Sequence, residues 1–299
     1  MRLLVFNPEN DMALASGLSG YTAPEAIERY SRSHCMLPRL WAGEDDLVWD
    51  WKQDLSDKNI TEVVPWGWSK ALVYRLQKAG VRRELMPSDE RLERLRMLSS
   101  RVFTSKLQRE LGLDVAVCTS WEEVESFERR VGSAVMKAPW SSSGKGLMMV
   151  SSPTARGWMQ NTIMREGAVV CERWMDRAQD FALEFTVKEG GAVRYEGLSV
   201  FRTSPSGRYV AHDFVTPEEQ RAALMQWVSE EELLRWRTWW QKRLEKDDIR
   251  AFSYVGPMGV DMLVDADGRI NPCVELNWRM TMGNVALLRG KNEQKYGWS

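Results

Sequence analysis

Asp261, Glu275 and Asn277 are the residues of this chain whose types and spacing most clearly suggest chemistry. They lie in two apolar, β-prone segments joined by Asp267-Gly268, which is a strong hairpin signal. A turn centred near Gly268 places Asp261 directly opposite Glu275 on the neighbouring strand. Asn277 lies two residues beyond Glu275 and therefore points to the same face. Two carboxylates and an amide oxygen are the hard-oxygen ligands that Mg²⁺ prefers, so the spacing predicts a magnesium site.

A solvated sheet face with scattered charges is the alternative interpretation of this hairpin. The residues between the polar ones argue against it, because they alternate regularly and give the sheet an apolar inner face. These residues are Val260, Met262, Val264, Val274 and Leu276.

A second informative stretch is the loop from Ser141 to Gly146, which follows an apolar strand ending in Lys137. Small residues let a backbone close over a polyphosphate and direct its N–H groups at the oxygens. Lys137 is costly inside an apolar strand unless an anion lies nearby. The loop is not a P-loop, because Pro139 replaces the first glycine and Gly146 stands where Ser or Thr is required. A strand also follows the loop where a P-loop needs a helix, and a flexible surface hairpin is the alternative.

The composition excludes several functional classes. The net charge of −1 provides no global field that would recruit nucleic acid or an anionic membrane. No apolar run reaches the roughly 18–20 residues of a membrane span, and the first apolar run is too short for a secretory signal. His34 and His212 are the only histidines, which argues against a histidine-rich metal centre or a Ser-His-Asp triad. Four scattered cysteines predict reduced thiols in a cytoplasmic protein.

The element pattern predicts an α/β lobe over residues 1–87, because short strands alternate with helices there. Asn7 to Asp11 form a polar turn at the end of the first strand, where ligands often bind in α/β sheets; a purely structural turn is equally compatible. Residues 88–170 form a connecting helical region that carries Lys106, followed from Val115 by strands with glycine turns.

Residues 171–299 contain further strands and the Asp261 hairpin. Three tryptophans between Ser229 and Glu245 lie at helical spacing, which favours a helix that packs an aromatic face rather than a ligand site. The last nine residues are polar and are expected to be loosely held. The three tryptophans are Trp236, Trp239 and Trp240.

In this order, three segments resemble the ATP-grasp superfamily: the Lys137 strand with its Ser-Ser-Ser-Gly-Lys-Gly loop, the strand ending in Glu172, and the Asp261 hairpin with its Glu-Leu-Asn-Trp-Arg sequence. The resemblance covers roughly residues 88–290. It implies an α/β N-terminal lobe followed by α+β ATP-grasp lobes, with ATP held between two antiparallel-sheet lobes. Residues 88–170 would be the small lobe and residues 171–299 the C-terminal lobe.

The resemblance also implies how the nucleotide is held. Lys106 and Lys137 would contact the α- and β-phosphates, and Glu172 would accept a hydrogen bond from the adenine amino group. The ribose would meet Asp180 or Glu184. The remaining nucleotide-binding residues lie in the loop that closes over the β- and γ-phosphates and in the hinge beside Glu172: Ser142, Ser143, Gly144, Gly146, Arg173 and Trp174.

The resemblance implies an activity as well. Asp261, Glu275 and Asn277 would hold one or two Mg²⁺ ions, with Mn²⁺ also possible. The catalytic cations would be Arg279, facing the transferred phosphate or the substrate carboxylate, the loop lysine Lys145, and Arg202, for which a surface position is the alternative.

The implied reaction is ligation. A carboxylate would attack the γ-phosphate of ATP, and an amine or a thiol would then displace phosphate from the acyl phosphate, forming a C–N bond in the amine case. The partners would be a small-molecule carboxylate and an amine or peptide, with no nucleic acid and no membrane, and a homo-oligomer is possible. A kinase acting on a small molecule and a non-catalytic nucleotide-binding protein are the alternatives.

Overall fold

The apolar run at the start of the chain forms the central strand of a parallel sheet. In a computed structural model, which describes residues 1–141, 146–204, 209–211 and 216–296, β1 (Arg2–Val5) pairs on either side with β2 (Leu47–Val48) and β3 (Glu62–Pro65). β1 is connected to β2 through α1 (Asn10–Ser16) and α2 (Glu25–Ser33), and α3 (Lys70–Lys78) follows β3. Short 3-10 turns lie at Leu37–Leu40 and Arg83–Leu85. The predicted parallel pairing of strands in this part of the chain is therefore confirmed.

Local signals explain where α3 begins and ends. The side chain of Ser69 accepts a hydrogen bond from the backbone N–H of Leu72 at 3.3 Å, which caps the first turn. Gly80 adopts a φ of +93° just beyond the helix, a conformation that glycine tolerates best. Leu72 and Leu76 are buried beneath the sheet together with Leu3.

Two helices lead from this lobe to a four-stranded antiparallel sheet. They are α4 (Asp89–Leu98) and α5 (Arg101–Glu110). The sheet has the strand order β4-β7-β5-β6. Its elements are β4 (Val115–Cys118), α6 (Trp121–Val131), β5 (Ala134–Lys137), β6 (Leu147–Met149), α7 (Ala155–Glu166) and β7 (Val169–Arg173). The boundary between the two lobes was predicted after residue 170. Because β7 continues through this position, the chain passes to the next sheet between Arg173 and Arg177.

The last part of the chain forms a five-stranded antiparallel sheet. Its elements are β8 (Arg177–Val187), β9 (Val193–Thr203), β10 (Tyr209–Ala211), α8 (Pro217–Leu224), α9 (Glu230–Leu244), α10 (Asp247–Arg250), β11 (Gly256–Asp265), β12 (Ile270–Asn277) and α11 (Met282–Tyr296). The strand order is β10-β9-β8-β11-β12. One face of this sheet is apolar and packs on α9, whose Trp240 is fully buried and donates from Nε1 to the carbonyl of Pro272 at 2.9 Å. The predicted packing role of the tryptophan helix is confirmed.

Two local predictions were wrong. The polar turn at Asn7 to Asp11 contains the start of α1 at Asn10, and the segment after Val115 contains α6 in addition to strands. A capping box explains α6, because the Ser120 side chain and the Glu123 side chain satisfy each other's backbone N–H groups. Of the polar last nine residues, those as far as Tyr296 belong to α11, and the other three lie outside the described part of the chain.

The N-terminal lobe packs against the end of the last hairpin. Phe6 and Trp66 form an apolar cluster with Met280 and Val285, and the backbone N–H of Met280 donates to the carbonyl of Trp66 at 2.8 Å. The carboxyl ends of the parallel strands therefore face the antiparallel hairpin. Across the described residues, no helix is long and apolar enough to cross a membrane.

Candidate functional site

The hairpin formed by β11 and β12 has the predicted register at Asp261, and a bulge between Asp261 and Leu263 shifts the register nearer the turn. Asp261 pairs with Glu275 and Gly259 pairs with Asn277 across the antiparallel strands. The Asn277 side chain donates from Nδ2 to Asp261 Oδ2 at 3.1 Å, so the amide lies beside the carboxylates. Gly268, at a φ of +78°, closes the turn. The two carboxylates and the amide therefore share one face of the sheet.

The neighbouring strand β8 extends this polar face. Asp180 pairs with Leu263 and Glu184 pairs with Gly259, so both carboxylates lie on the same side of the sheet as Asp261. The alternate residues of β8 and β11 point the other way into the core, among them Phe181, Leu183, Val260 and Met262. The alternation thus gives the sheet one face that carries the carboxylates and an opposite face that packs in the apolar core.

Burial and mutual repulsion perturb the carboxylates on this face. Burial, followed by the charge of Glu275, raises the pKa of Asp261 to about 7. Burial, followed by the charge of Asp261, raises the pKa of Glu184 to about 8. The positive charge of Arg279 lowers both pKa values, but it does not offset these effects. A divalent cation would neutralise this excess negative charge.

The donor set fits Mg²⁺ held jointly by protein and nucleotide. Among the described residues, no group of three His, Cys, Asp or Glu side chains could hold a metal ion by itself. Asp261, Glu275 and Asn277 offer two carboxylates and one amide oxygen instead. Magnesium commonly binds one or two carboxylates and completes its shell with water and substrate phosphates. The hairpin is compatible with that incomplete protein shell.

Arg101 is a functional candidate that the sequence analysis missed. It is the first residue of α5, and its guanidinium donates to the carbonyl of Ala138 at 2.9 Å and to Ser141 Oγ at 2.6 Å. The same guanidinium pairs with Glu275 and so joins the start of the glycine-rich loop to the hairpin. Its Nε is buried without a hydrogen-bond partner. A cation in the first turn of a helix is unfavourable beside the positive end of the helix dipole. The position of Arg101 in the sequence could therefore have indicated a functional role.

Lys106 lies elsewhere on α5. Its side chain is exposed, and its ammonium lies 5.7 Å from the centroid of the Phe103 ring. The structure brings Arg101 of this helix to the hairpin and leaves Lys106 on the surface.

Lys137 and Glu172 form a buried ion pair in the four-stranded sheet. Lys137 Nζ lies 2.7 Å from Glu172 Oε2 and 3.2 Å from the carbonyl oxygen of Val274 in the hairpin. Both side chains are largely buried, with 6% and 8% of their surface exposed. The anion that Lys137 was expected to need is therefore Glu172 in this structure.

A narrow cleft opens beside this ion pair, between the two antiparallel sheets. The four-stranded sheet contributes Lys137 and Glu172, and the five-stranded sheet contributes Leu263 and Asn271. Trp174 lies at the hinge between the sheets, where its backbone N–H donates to Ser133 at 2.9 Å and its indole donates to Asp176 at 3.0 Å. The Arg173 side chain turns outward and pairs with Asp114 at 2.8 Å.

The two candidates for the ribose carboxylate have different surroundings. Asp180 accepts a hydrogen bond from the Thr203 hydroxyl at 2.5 Å and pairs in register with Leu263, which lines the cleft. Glu184 lies further along the sheet, where it is 1% exposed and accepts from the Thr281 hydroxyl at 2.9 Å. A Cβ atom at Gly283 would lie 2.0 Å from Glu184 Oε1, so the start of α11 closes over this carboxylate.

Arg279 connects the hairpin with the N-terminal lobe. Its Nε lies 3.0 Å from both carboxylate oxygens of Asp11, and its Nη2 lies 2.8 Å from Oδ2. Asp11 lies in α1, inside the segment that the sequence analysis had singled out as a polar turn. The structure thus brings part of that segment to the site.

The remaining predicted site residues are only partly described. Gly146 is required sterically, because a Cβ atom there would lie 2.3 Å from Ser141 Oγ. Arg202 lies exposed on β9, in register with Ala211 of β10. Four predicted loop residues lie outside the described part of the chain: Ser142, Ser143, Gly144 and Lys145.

Comparison with known proteins supports the fold. The chain is 24% identical over 203 residues to the [butirosin acyl-carrier protein]–L-glutamate ligase of Niallia circulans. That alignment covers 64% of this chain and 45% of the relative, so the chain spans less than half the length of this curated protein. No protein-family profile matches the chain.

Solved structures with similar folds include three enzymes. Biotin carboxylase from Campylobacter jejuni has a TM-score of 0.56 at 13% identity, covering 100% of this chain and 71% of the other. D-alanyl-alanine synthetase A from Vibrio cholerae has a TM-score of 0.53 at 14% identity, covering 98% and 93%. N5-carboxyaminoimidazole synthetase from Staphylococcus aureus, complexed with ADP, has a TM-score of 0.52 at 10% identity, covering 94% and 70%. With these neighbours and its two facing antiparallel sheets, the chain has the ATP-grasp fold.

Proposed function

We propose that this protein is an ATP- and Mg²⁺-dependent ligase that activates a carboxylate as an acyl phosphate and condenses it with an amine or a thiol. The observation that carries this proposal is the shared face of Asp261, Glu275 and Asn277 beside the cleft that contains Lys137 and Glu172. The name of the curated relative, a ligase for acyl-carrier protein and L-glutamate, supports carboxylate–amine chemistry.

The adenosine is proposed to lie at the Lys137–Glu172 end of the cleft. Glu172 would accept from the adenine amino group, and Lys137 would turn from Glu172 toward the phosphates. Asp180 is better placed than Glu184 to meet the ribose, because its register partner lines the cleft while Glu184 is enclosed by α11. The backbone of Arg173 and Trp174, at the hinge, would contact the adenine ring.

The phosphates are proposed to lie above the hairpin. Asp261, Glu275 and Asn277 would hold Mg²⁺, which when bound neutralises phosphate charge. Arg101 is better placed than Lys106 to meet a phosphate, because it already joins Glu275 to the loop. The loop residues Ser142, Ser143, Gly144 and Lys145 would close over the β- and γ-phosphates beside Gly146.

The transfer step depends mainly on positioning. Phosphoryl transfer needs in-line geometry and charge neutralisation more than proton transfer. Arg279 would direct its positive charge toward the transferred phosphate or the substrate carboxylate, with Asp11 fixing its orientation. Arg202 would act in the cleft only if its exposed side chain turns inward on binding.

A phosphate-release assay over paired carboxylates and amines with Mg·ATP tests this function. The expected products are ADP, inorganic phosphate and a condensed product in equal amounts. ADP without inorganic phosphate, together with a stable phosphorylated compound, would identify a kinase. Tight Mg·ATP binding with no ADP across a broad screen would identify a non-catalytic binding protein.

Removing one positive charge at a time from α5 distinguishes the roles of Arg101 and Lys106. We expect Arg101→Met to weaken ATP binding by about tenfold or more, since a hydrogen bond to a charged group contributes roughly 1.5–3 kcal/mol. Lys106→Met is the matched control on the same helix and should leave the ATP dissociation constant unchanged. Calorimetric titration of both variants measures this, and a larger effect of Lys106→Met would reverse the assignment.

The contact between Asp11 and Arg279 gives a prediction about turnover. Asp11→Asn keeps the shape but removes the charge that orients Arg279, so we expect the catalytic rate to fall about tenfold. ATP affinity should remain unchanged, because Asp11 lies away from the proposed adenosine end. Asp45→Asn, on the exposed surface of the same lobe, is the control. Loss of ATP affinity in Asp11→Asn would indicate a role other than orientation.

A further inference from the structure

Arg96 of α4 binds the last turn of α1 in the N-terminal lobe. The last four carbonyls of an α-helix have no partner within the helix. Arg96 satisfies two of these carbonyls in α1, because its Nε donates to Leu14 at 2.7 Å and its Nη2 donates to Ala15 at 3.1 Å. A cation is also favourable at this end of the helix dipole. Arg96 therefore fixes the carboxyl end of α1.

Arg96 also contacts Trp140, the residue before Ser141 at the start of the glycine-rich loop. The guanidinium carbon of Arg96 lies 4.2 Å from the centroid of the Trp140 ring, which is a cation–π contact. The indole Nε1 of Trp140 donates to the backbone carbonyl of Arg96 at 3.0 Å. The backbone N–H of Trp140 donates to Glu166 of α7 at 3.1 Å. Trp140 is thus held from both α4 and α7.

Gly17 leaves the space that this arrangement needs. Its φ of +67° ends α1 in the left-handed conformation, which glycine adopts at low cost. A Cβ atom at this position would lie 3.2 Å from Arg96 Nε, closer than side chains normally approach. Leu14 of α1 and Trp140 belong to the same apolar cluster. The end of α1 therefore packs directly with Arg96 and Trp140.

The backbone on either side of Trp140 is bound to the proposed nucleotide site through Arg101. The backbone N–H of Arg101 donates to the carbonyl of Pro139 at 2.9 Å, and its guanidinium donates to Ser141 Oγ at 2.6 Å. The same guanidinium pairs with Glu275 of the hairpin. A phosphate that engages Arg101 would therefore act on both neighbours of Trp140.

The first turn of α1 leads back to the hairpin, because it carries Asp11, which holds Arg279. α1 has seven residues and is about 10 Å long, so the position of its last turn determines that of its first. Contacts thus run from Arg101 at the proposed phosphates through Trp140 and Arg96 to Arg279.

From this arrangement we propose that Arg96 and Trp140 are positioning residues that couple nucleotide binding at Arg101 to the position of α1, and through Asp11 to the orientation of Arg279. The coupling rests on the proposed function, because it requires a nucleotide at Arg101. It implies that α1 becomes more rigid when Mg·ATP binds, although α1 carries no residue assigned to the nucleotide.

Hydrogen–deuterium exchange of the full chain, with and without saturating Mg·ATP, tests the coupling. We expect Mg·ATP to slow exchange of the α1 amides by about fivefold or more, a common size for coupling between two sites. α2, in the same lobe, is the internal reference, because general stabilisation by a ligand would slow exchange in both helices. Calorimetric titration measures Mg·ATP binding by the same protein.

Variants at the contact distinguish coupling from a merely structural role, which would change α1 exchange equally with and without nucleotide. Arg96→Met should remove the effect of Mg·ATP on α1 while Mg·ATP still binds, and Arg96→Lys, which keeps the cation, should retain part of the effect. Arg94→Met is the matched control, since Arg94 lies on the same helix and pairs with Glu90, and it should keep the full effect. If Arg96→Met does not fold, Trp140→Phe serves in its place. This change removes the indole donor and should reduce the effect by about twofold or more.

The outcomes separate the coupling from the proposed ligase activity. The coupling is overturned, and the nucleotide site stands, if Mg·ATP binds but leaves α1 exchange unchanged relative to α2. The same conclusion follows if Arg96→Met and Trp140→Phe both keep the full effect. Absence of Mg·ATP binding would overturn the proposed function and the coupling with it.

Discussion

Replacing Glu275 with glutamine is expected to lower Mg·ATP-dependent turnover by about three orders of magnitude. The substitution keeps the shape of the side chain and removes one of the two carboxylates proposed to hold Mg²⁺. A bound metal contributes several kcal/mol of charge stabilisation, and about 1.4 kcal/mol corresponds to a factor of ten in rate. Steady-state kinetics with varied Mg²⁺ measures the loss.

The fold should survive this change at reduced stability. The Glu275 side chain is 23% exposed and glutamine keeps an oxygen that can accept from Arg101, but the Arg101 guanidinium, which is 6% exposed, loses its charged partner. Asp267→Asn is the matched control, because Asp267 is an exposed carboxylate in the turn of the same hairpin. It should retain normal turnover. A Glu275→Gln variant that turns over at the normal rate would show that the metal site is misassigned.

The second large effect is expected from breaking the ion pair between Lys137 and Glu172. Lys137→Met leaves Glu172 charged and buried without its partner, which is expected to lower the free energy of unfolding by about 3–5 kcal/mol. The same variant should lose measurable ATP binding. Urea denaturation measures the stability change, and calorimetric titration measures the binding.

A double variant separates stability from function at this pair. Replacing a buried ion pair with apolar residues of similar volume is often neutral for stability. We therefore expect Lys137→Met combined with Glu172→Leu to recover most of the lost stability while ATP binding remains absent. Normal ATP affinity in the double variant would mean that the pair is a structural feature away from the nucleotide.

The sequence predicted best where the information is local. The pairing of Asp261 with Glu275 was predicted from one turn at Gly268, and the structure has that pairing, although a bulge between Asp261 and Leu263 interrupts the strict alternation that the prediction assumed. The start of α3 follows from a single capping residue, Ser69. The parallel pairing in the N-terminal lobe follows from the order of the elements, whereas the two antiparallel sheets were implied by the resemblance to the ATP-grasp superfamily.

Contacts between distant parts of the chain could not be predicted in this way. Arg101 and Glu275 are 174 residues apart, and Asp11 and Arg279 are 268 residues apart. Arg101 lies in a helix rich in charges, so its type alone did not distinguish it from Lys106. The family resemblance left Asp180 and Glu184 as alternatives for the ribose. The enclosure of Glu184, which distinguishes the two, depends on Gly283 and Thr281 of the distant α11 region.

Transfer of oxygen-18 from carboxylate to phosphate tests the central claim most directly. The protein would be incubated with Mg·ATP, a pool of carboxylates labelled with oxygen-18 and a pool of amines, and the released phosphate analysed by mass spectrometry. Activation as an acyl phosphate predicts one labelled oxygen in each phosphate, because the carboxylate oxygen that attacks the γ-phosphate leaves with it. Release of unlabelled phosphate alongside a condensed product would contradict the proposed reaction.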